Sequence, residues 1–272
     1  MKFHVLTLFP EMLLGFFESS IMAKAVQRGI IEYELVNIRD FALDKHKTCD
    51  DTPYGGGAGM LMLPGPLDAA LQSVLGKRKP PDTGKTRVKK KPRKRKEGEP
   101  RVIYVTPSGK PFTQKTAIEL SREQKLVFIC GRYEGIDRRI IDKWVDDEIS
   151  VGDFVLSSGE IAAQVVMDAV YRLVDGVISA ESLTEESHTG GLLEYPQYTK
   201  PEVFDGMKVP SVLLSGNHER IRRWRLRERI AKTLAVRPDM IGAARLAGLL
   251  TEEAENCIAD ITRIQGECNG FD

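Results

Sequence analysis

The sequence lacks any apolar run of about eighteen residues, the length at which an α-helix begins to span a membrane. Residues 1–23 are apolar after Lys2, but Pro10, Glu11 and Glu18 interrupt them, and no polar cleavage region follows. We therefore expect no transmembrane helix and no signal peptide. We interpret residues 1–23 as a strand and a helix of a cytoplasmic protein that has no membrane partner.

Cysteine is scarce, and its spacing argues against a zinc site. The chain has four cysteines and four histidines, with no C-x-x-C pair and no H-x-x-x-H pair. We expect no structural metal and four reduced, unpaired thiols, as is usual in the cytosol. The cysteines are Cys49, Cys130, Cys257 and Cys268.

Two nucleotide-binding signatures are also missing. A dinucleotide fold would carry G-x-G-x-x-G after the first strand, but the predicted strand at 3–9 runs directly into Pro10 and Glu11. Residues 84–86 read Gly-Lys-Thr, like the end of a phosphate-binding loop. The upstream glycine of that motif would fall at Lys79, and no strand precedes it. The dinucleotide-binding fold is therefore disfavoured, and we reject a nucleoside triphosphate site at residues 84–86.

Positive charge is concentrated in two blocks, although the net charge is only +1. Residues 77–96 hold twelve Lys and Arg against Asp82, and residues 218–232 hold seven against two acids. Local positive charge of this kind indicates a polyanionic partner, and nucleic acid fits best. The alternative is a solvated loop and a solvated helix face. Residues 77–100 are poor in apolar residues, which predicts a disordered insertion.

The order of strands and helices predicts an α/β fold followed by a helical unit. A strand at 3–9, a helix from Pro10 to Gly29 and a strand at 31–38 predict a parallel, right-handed unit. A glycine-rich segment at 50–60 contains aspartates, an aromatic and a methionine, which favours an ordered functional loop over a flexible linker. Further helices are predicted at 64–75, 114–120, 136–143, 161–174, 220–236, 238–249 and 252–265. Thr113 and Asn217 are the expected caps of the helices at 114–120 and 220–236.

Short strands are predicted at 101–105, 126–130 and 144–149, and a turn follows each of them, at 106–109, 131–135 and 150–159. If these strands are parallel neighbours, their carboxyl ends bring the turns together into one site. The turns have no run of basic residues, and they offer backbone groups together with Tyr133 and Phe154. Such a lining suits a flat, weakly charged ring such as adenine.

The same turns carry sequence motifs of a known family. Residues 104–109, 130–137 and 150–156, in that order, resemble the bacterial tRNA (guanine-N1)-methyltransferases of the knotted SPOUT superfamily. Further matching segments lie at 54–60, 195–203 and 214–225. The resemblance covers nearly the whole chain, and the order of the motifs is more specific than any one of them.

The resemblance implies an α/β fold with a mainly parallel sheet, a deep trefoil knot at the C-terminal end of that domain, and a small all-α C-terminal domain. The implied boundaries are 1–178 for the knotted domain, 179–190 for a linker and 191–272 for a helical tRNA-binding domain. It also implies a homodimer that binds S-adenosylmethionine in the knot. The resemblance also implies magnesium as a second cofactor, but the sequence shows no recognisable protein ligand for it.

The family's cofactor contacts correspond to the three turns already grouped by pattern. By resemblance, the cofactor-binding residues are Tyr104, Val105, Thr106, Pro107, Gly131, Tyr133, Glu134, Ser150, Val151, Gly152, Asp153, Phe154, Val155, Leu156, Ser158 and Gly159. Two positions depart from the family pattern, because Ser158 and Ala162 replace the usual glycine and proline.

The implied substrate is the guanosine at position 37 of tRNA, immediately 3′ of the anticodon. Methylation at N1 requires removal of its proton, so a carboxylate base and a cation near O6 are needed. The resemblance assigns the cation to Arg172 and places Glu134 close to the methyl group. The base belongs to the linker of the other subunit, where Asp-Ser-Phe of the family is replaced by Glu186-Ser187-His188. We assign the base to Glu186, with Glu185 and His188 as rivals.

The predicted tRNA contacts lie on the basic helix, at Arg220, Arg222, Arg223 and Arg225. The insertion at 77–96 is not a usual feature of the family, and it either adds sequence-independent RNA affinity or is a surface loop without a role. DNA is not an expected partner. Two other functions stay open: methylation of a different RNA nucleotide, and RNA binding by a homologue that has lost catalysis.

Overall fold

The structure is a computed structural model that describes residues 1–79, 95–96, 98–179 and 187–268. Contacts divide the chain into two compact units, Met1–Ile178 and Ser179–Asp272. Most of the predicted disordered insertion and of the predicted linker lies outside the described residues. Both assignments therefore stay predictions.

The first unit is built on a parallel sheet. Its strands are β1 (Lys2–Thr7), β2 (Glu32–Asn37), β3 (Asp50–Asp51), β4 (Leu61–Met62), β5 (Arg101–Pro111), β6 (Lys125–Cys130) and β7 (Asp147–Ser150). Its helices are α1 (Glu11–Phe17), α2 (Ser20–Gln27), α3 (Pro64–Leu75), α4 (Gln114–Ser121), α5 (Arg138–Trp144) and α6 (Gly159–Tyr171). The main sheet has the order β2-β1-β6-β5-β7, and every pairing in it is parallel. The predicted α/β fold with a mainly parallel sheet is thus confirmed.

Strand β6 lies in the middle of this sheet, and both of its faces are covered. Successive side chains of a strand point to opposite faces. Leu126, Phe128 and Cys130 accordingly join the hydrophobic cluster on one face. Val127 and Ile129 join the cluster on the other face. This double burial explains the continuous apolar run that precedes the Gly131 turn.

Several boundaries differ from the sequence-based prediction. The helix expected to run from Pro10 to Gly29 is two helices, because Ser19 is extended and Ser20 has a φ of 54°. Trp144, expected in a strand, instead ends α5 with its indole buried. Its Nε1 donates a hydrogen bond of 2.6 Å to Asp68 of α3, and this partner holds the ring on the helix.

The second unit is a small helical bundle, as predicted. Its elements are a short hairpin of β8 (Val203–Phe204) and β9 (Met207–Lys208), followed by α7 (Ser211–Leu214), α8 (His218–Val236), α9 (Pro238–Leu246) and α10 (Glu252–Cys268). Asn217 caps α8, since its Oδ1 accepts the Arg220 N–H at 3.0 Å. Leu192, Ile230, Ile241, Ala254, Ile258 and Ile261 form the core.

Three of the four predicted thiols can be checked. Cys49, Cys130 and Cys257 are free, while the Cys268 side chain lies outside the described part of the chain.

Within the described ranges, no helix is both long and apolar enough to cross a membrane. The same residues contain no group of three or more His, Cys, Asp or Glu side chains that could hold a metal ion.

Candidate functional site

A cavity of about 240 Å³ lies at the carboxyl ends of β5, β6 and β7. It brings together the three turns that the sequence pattern had grouped, so their predicted convergence is confirmed. Every predicted cofactor residue except Gly152 and Asp153 lines it. The full lining is Tyr104, Val105, Thr106, Pro107, Gly131, Arg132, Tyr133, Glu134, Gly135, Ile149, Ser150, Val151, Phe154, Val155, Leu156, Ser157, Ser158, Gly159 and Ala162.

The first wall of the cavity is an excursion within β5. Val105 and Lys110 both pair with Ile149 of β7, so residues 106–109 leave the ladder and form a loop. A Cβ atom on Gly109 would lie 2.5 Å from the Ile149 backbone nitrogen. Only glycine fits where the chain re-enters the sheet. The strand predicted to stop at Val105 therefore continues beyond the loop.

The second wall is the turn at 131–135, after β6. Its Gly135 N–H donates to the Arg132 carbonyl at 3.0 Å, and Tyr133 has a left-handed φ of 57°. The ring of Tyr104 lies against the start of the turn, where a Cβ on Gly131 would be 2.9 Å from its Cε2. Burial raises the pKa of the Tyr104 hydroxyl. The hydroxyl therefore stays neutral at physiological pH.

The third wall is the segment from Ser150 to the start of α6. The Ser150 hydroxyl donates to the Gly152 carbonyl at 2.9 Å, and the Phe154 ring occupies the space beside Gly152. The Gly159 N–H donates to the Gly131 carbonyl at 2.9 Å. A Cβ on Gly159 would lie 2.6 Å from the Gly131 nitrogen. Two backbones are thus in direct contact at the floor of the cavity.

Ser158 is a buried polar residue of this wall that has no hydrogen bond. It occupies the N-cap position of α6, yet its hydroxyl does not cap the helix. Its Oγ is buried and has no hydrogen-bond partner among the described residues. Buried hydroxyls are nearly always hydrogen-bonded, so an orphan beside a cavity fits a bound molecule that offers a polar atom.

The glycine-rich loop at 53–60 lies against the second wall. The Met60 carbonyl accepts the Glu134 N–H at 3.0 Å. A Cβ on Gly59 would lie 2.5 Å from Glu134 Oε1. The end of the loop, at Gly59 and Met60, therefore packs against the 131–135 turn and contacts the Glu134 side chain.

Sequence reasoning missed five lining residues and one buried acid next to them. The missed residues all lie within or close to the three turns, so their positions next to the predicted residues are the signal that marks them. They are Arg132, Gly135, Ile149, Ser157 and Ala162. Glu160 is fully buried and lies 3.1 Å from the Arg132 Nε. An acid in the first turn of a helix is common on protein surfaces, so no signal in the sequence marked Glu160 as buried.

The predicted catalytic residues do not all meet in one chain. Glu134 lines the cavity. Arg172 follows the last residue of α6, ten residues beyond Ala162 of the cavity lining, so the helix separates their backbones by about 15 Å. Glu186 and its rival Glu185 lie outside the described residues. The other rival, His188, is exposed in the second unit.

The predicted tRNA-binding arginines all lie on α8, but their surroundings differ. Arg222 donates to both Glu219 and Glu253, and Arg223 donates to Glu219. Hydrogen bonds from these two arginines lower the pKa of Glu219 to about 2. The Arg225 guanidinium lies 4.7 Å from the Tyr195 ring centre. Arg220 is exposed and has no carboxylate partner within the described part of the chain.

This arrangement defines a class of protein. Parallel strands end at a cavity whose walls are mostly backbone, aromatic and aliphatic groups, and a separate helical unit carries clustered arginines. Such a cavity suits a small ring-containing ligand, and such a helix suits a polyanion. The class is therefore a protein that brings a small molecule to a polyanion such as nucleic acid.

Comparison with known proteins identifies the family. The family model described as tRNA (Guanine-1)-methyltransferase TrmD matches residues 1–243. A tRNA (guanine-N(1)-)-methyltransferase of Treponema denticola is 61% identical over 96% of this chain and 98% of its own length. Enzymes of the same name from Treponema pallidum and Caldicellulosiruptor saccharolyticus are 54% and 51% identical, over 96% and 90% of this chain and 96% and 92% of theirs. The chain belongs to the tRNA (guanine-1)-methyltransferase family, which confirms the resemblance seen in the motifs.

Proposed function

We propose that this protein transfers a methyl group from S-adenosylmethionine to N1 of guanosine 37, immediately 3′ of the anticodon of tRNA, in the cytoplasm. The observation that carries the proposal is the cavity at the carboxyl ends of β5, β6 and β7. Its lining contains nearly all of the residues that the family motifs assign to the cofactor. The proposed fold includes the family's trefoil knot.

The cavity residues fit S-adenosylmethionine. Tyr104, Phe154 and Leu156 offer flat and aliphatic surfaces for an adenine ring, and the Ser158 hydroxyl has no other partner among the described residues. The backbone of the three turns offers further donors and acceptors. When bound, the cofactor supplies an electrophilic methyl group.

The chain's own residues would prepare the guanine. N1 carries a proton, so its lone pair is unavailable until a base accepts that proton. We assign this role to the Glu186 carboxylate. Negative charge then develops on O6, where the Arg172 guanidinium stabilises it. Glu134, whose side chain contacts Gly59, lies at the cavity and orients the guanine ring.

We propose a homodimer, because the Arg172 backbone lies about 15 Å along α6 from Ala162 of the cavity lining in its own chain. Two copies of α6 packed in opposite directions would bring Arg172 of each chain to the cavity of the other. An apolar surface suited to such packing lies on α1, α2 and α6. Its exposed residues are Met12, Leu14, Ile21, Ile161 and Val165.

The test is transfer of a labelled methyl group to tRNA transcripts, followed by nucleoside analysis. We expect 1-methylguanosine with guanosine at position 37 and no product when that position is adenosine. A labelled methyl group in another nucleotide would support the first alternative, a knotted methyltransferase that acts on a different RNA nucleotide. Tight cofactor binding without transfer would support the RNA-binding homologue. Parallel assays with Mg²⁺ and with EDTA measure the metal requirement.

A further inference from the structure

A buried ion pair lies beside the cavity, in a place that the proposed chemistry does not use. Glu160 is the second residue of α6 and is fully buried. Its Oε1 accepts a hydrogen bond of 2.5 Å from the Thr7 hydroxyl. Its Oε2 lies 3.1 Å from the Nε of Arg132. One carboxylate thereby joins β1, α6 and the turn at 131–135.

Arg132 has further contacts that hold its side chain in one direction. Its guanidinium lies 4.5 Å from the centre of the Phe9 ring. The Phe9 N–H donates to the Thr7 hydroxyl at 2.9 Å, so Phe9 and Glu160 share one partner. The Arg132 side chain is 18% exposed. It is therefore held by its neighbours on several sides.

Stability alone does not account for this pair. A buried ion pair costs desolvation of both charges, and replacing both partners by neutral groups is often neutral or stabilising. Here Arg132 Nε and Glu160 Oε2 are close without being aligned as a hydrogen bond. Attraction between these two atoms is therefore a weak reason for burying both charges.

The element that the pair orients is the turn that carries Tyr133 and Glu134. Arg132 precedes Tyr133, whose left-handed φ of 57° is unfavourable for a residue with a side chain. The turn is also attached to α6 by the 2.9 Å bond between the Gly159 N–H and the Gly131 carbonyl. Without the ion pair, the turn would keep its backbone bond but lose its side-chain anchor.

We propose that Arg132 and Glu160 are positioning residues for methyl transfer. Their ion pair, with Thr7, holds the 131–135 turn so that Glu134 is placed correctly beside the reacting groups. This inference rests on the proposed function. A displacement of about 1 Å at a reacting centre costs on the order of 100-fold in rate, so a small movement of the turn has a large effect.

The test separates stability from rate with three variants. Arg132→Met and Glu160→Gln each leave a partner unmatched and should lower Tm. The double variant Arg132→Met/Glu160→Gln removes both charges, so its Tm should return to within about 2 °C of wild type. Its single-turnover methyl transfer rate should still be about 100-fold below wild type, with unchanged tRNA affinity.

A matched control uses another arginine ion pair of similar exposure. Arg101 donates to Asp147 at 2.6 Å, its side chain is also 18% exposed, and it lies at the opposite end of the sheet. The double variant Arg101→Met/Asp147→Asn should keep the wild-type rate. A further variant, Arg132→Lys, keeps the charge but loses the planar guanidinium. It should fold normally and lose about 10-fold in rate.

Two results would overturn the inference. One is a double variant whose rate recovers together with its Tm, because the pair would then be structural only. The other is an Arg132→Lys variant with the wild-type rate, which remains decisive if the double variant fails to fold. Failure of the proposed function is distinct, since wild-type protein would then transfer no methyl group to tRNA.

Discussion

The cavity of the first unit and helix α8 of the second are built on different principles. At the cavity, backbones touch, as where Gly159 meets Gly131, and one added carbon atom would collide. On α8, charge is spread over many arginines, and two of the predicted four are already bound to Glu219. We therefore expect ligand binding at the cavity to depend on shape, so that single atoms matter there. We expect tRNA binding by α8 to depend on summed charge, so that single residues matter less.

The largest expected effect tests a residue outside both of these regions. Glu186→Gln should lower turnover roughly 100- to 10,000-fold, because an amide cannot accept the N1 proton. Cofactor affinity should be near normal. Single-turnover methylation of tRNA measures the first quantity and calorimetry the second.

The rival bases serve as controls for that variant. Glu185→Gln and His188→Phe should retain most of the turnover. A near wild-type single-turnover rate in Glu186→Gln would show that Glu186 does not accept the N1 proton. A large loss of turnover in either control would assign that role to the residue changed in the control.

Shape dependence at the cavity is tested by Gly159→Ala. The new methyl group would lie 2.6 Å from the Gly131 nitrogen, so α6 must move away from β6. We expect cofactor affinity to fall about 10- to 100-fold, measured by titration calorimetry. Gly65→Ala is the matched control, since nothing lies within 4 Å of that added carbon. Unchanged cofactor affinity in Gly159→Ala would contradict the shape dependence, because the backbones at 131 and 159 would then separate without affecting the cavity.

A smaller effect is expected from Ser158→Ala. Its hydroxyl has no partner among the described residues, so its loss should not lower the Tm of the free protein. Cofactor affinity should fall roughly 3- to 10-fold, the worth of one neutral hydrogen bond. Thermal unfolding with and without cofactor measures both. A fall in the free protein's Tm with unchanged affinity would assign the hydroxyl to the fold instead.

Charge dependence on α8 is tested by Arg220→Gln. Arg220 is exposed, and loss of one phosphate contact should weaken tRNA binding roughly 4-fold at physiological salt. The slope of log affinity against log salt should fall by about 0.7. Arg245→Gln, on α9, is the control, and its slope should equal that of wild type. An unchanged slope in Arg220→Gln would remove Arg220 from the interface.

The smallest effect concerns the carboxylate that binds two of the arginines. Hydrogen bonds from Arg222 and Arg223 lower the pKa of Glu219 to about 2. A depressed pKa stabilises the fold above the unfolded pKa of about 4.3, and this contribution is lost as the pH falls towards about 2. The Tm difference between wild type and Glu219→Gln should therefore shrink from pH 6 to pH 3. Salt should shrink it too, because the group is exposed. A difference independent of pH would contradict this origin.

Local signals predicted many elements correctly. Pro64–Leu75 forms the predicted helix, and Thr113 and Asn217 cap the helices that follow them, as expected. These features depend on residues within one or two turns of each other. The break at Ser19 and the helical state of Trp144 were not predicted. The helical state of Trp144 accompanies a contact between distant residues, the hydrogen bond from its indole to Asp68.

The sequence by itself determined the five strands of the main sheet, the three turns after β5, β6 and β7, and the family, because periodicity, glycine positions and motif order are local properties. Only the tertiary structure decided which of these residues meet. It joined Thr7 to Glu160 across 153 positions, buried the Ser158 hydroxyl beside the cavity without a partner in the described chain, and placed Arg172 at the far end of α6. Such contacts follow from how the sheet and helices pack, and packing between distant segments leaves no pattern in the neighbouring residues.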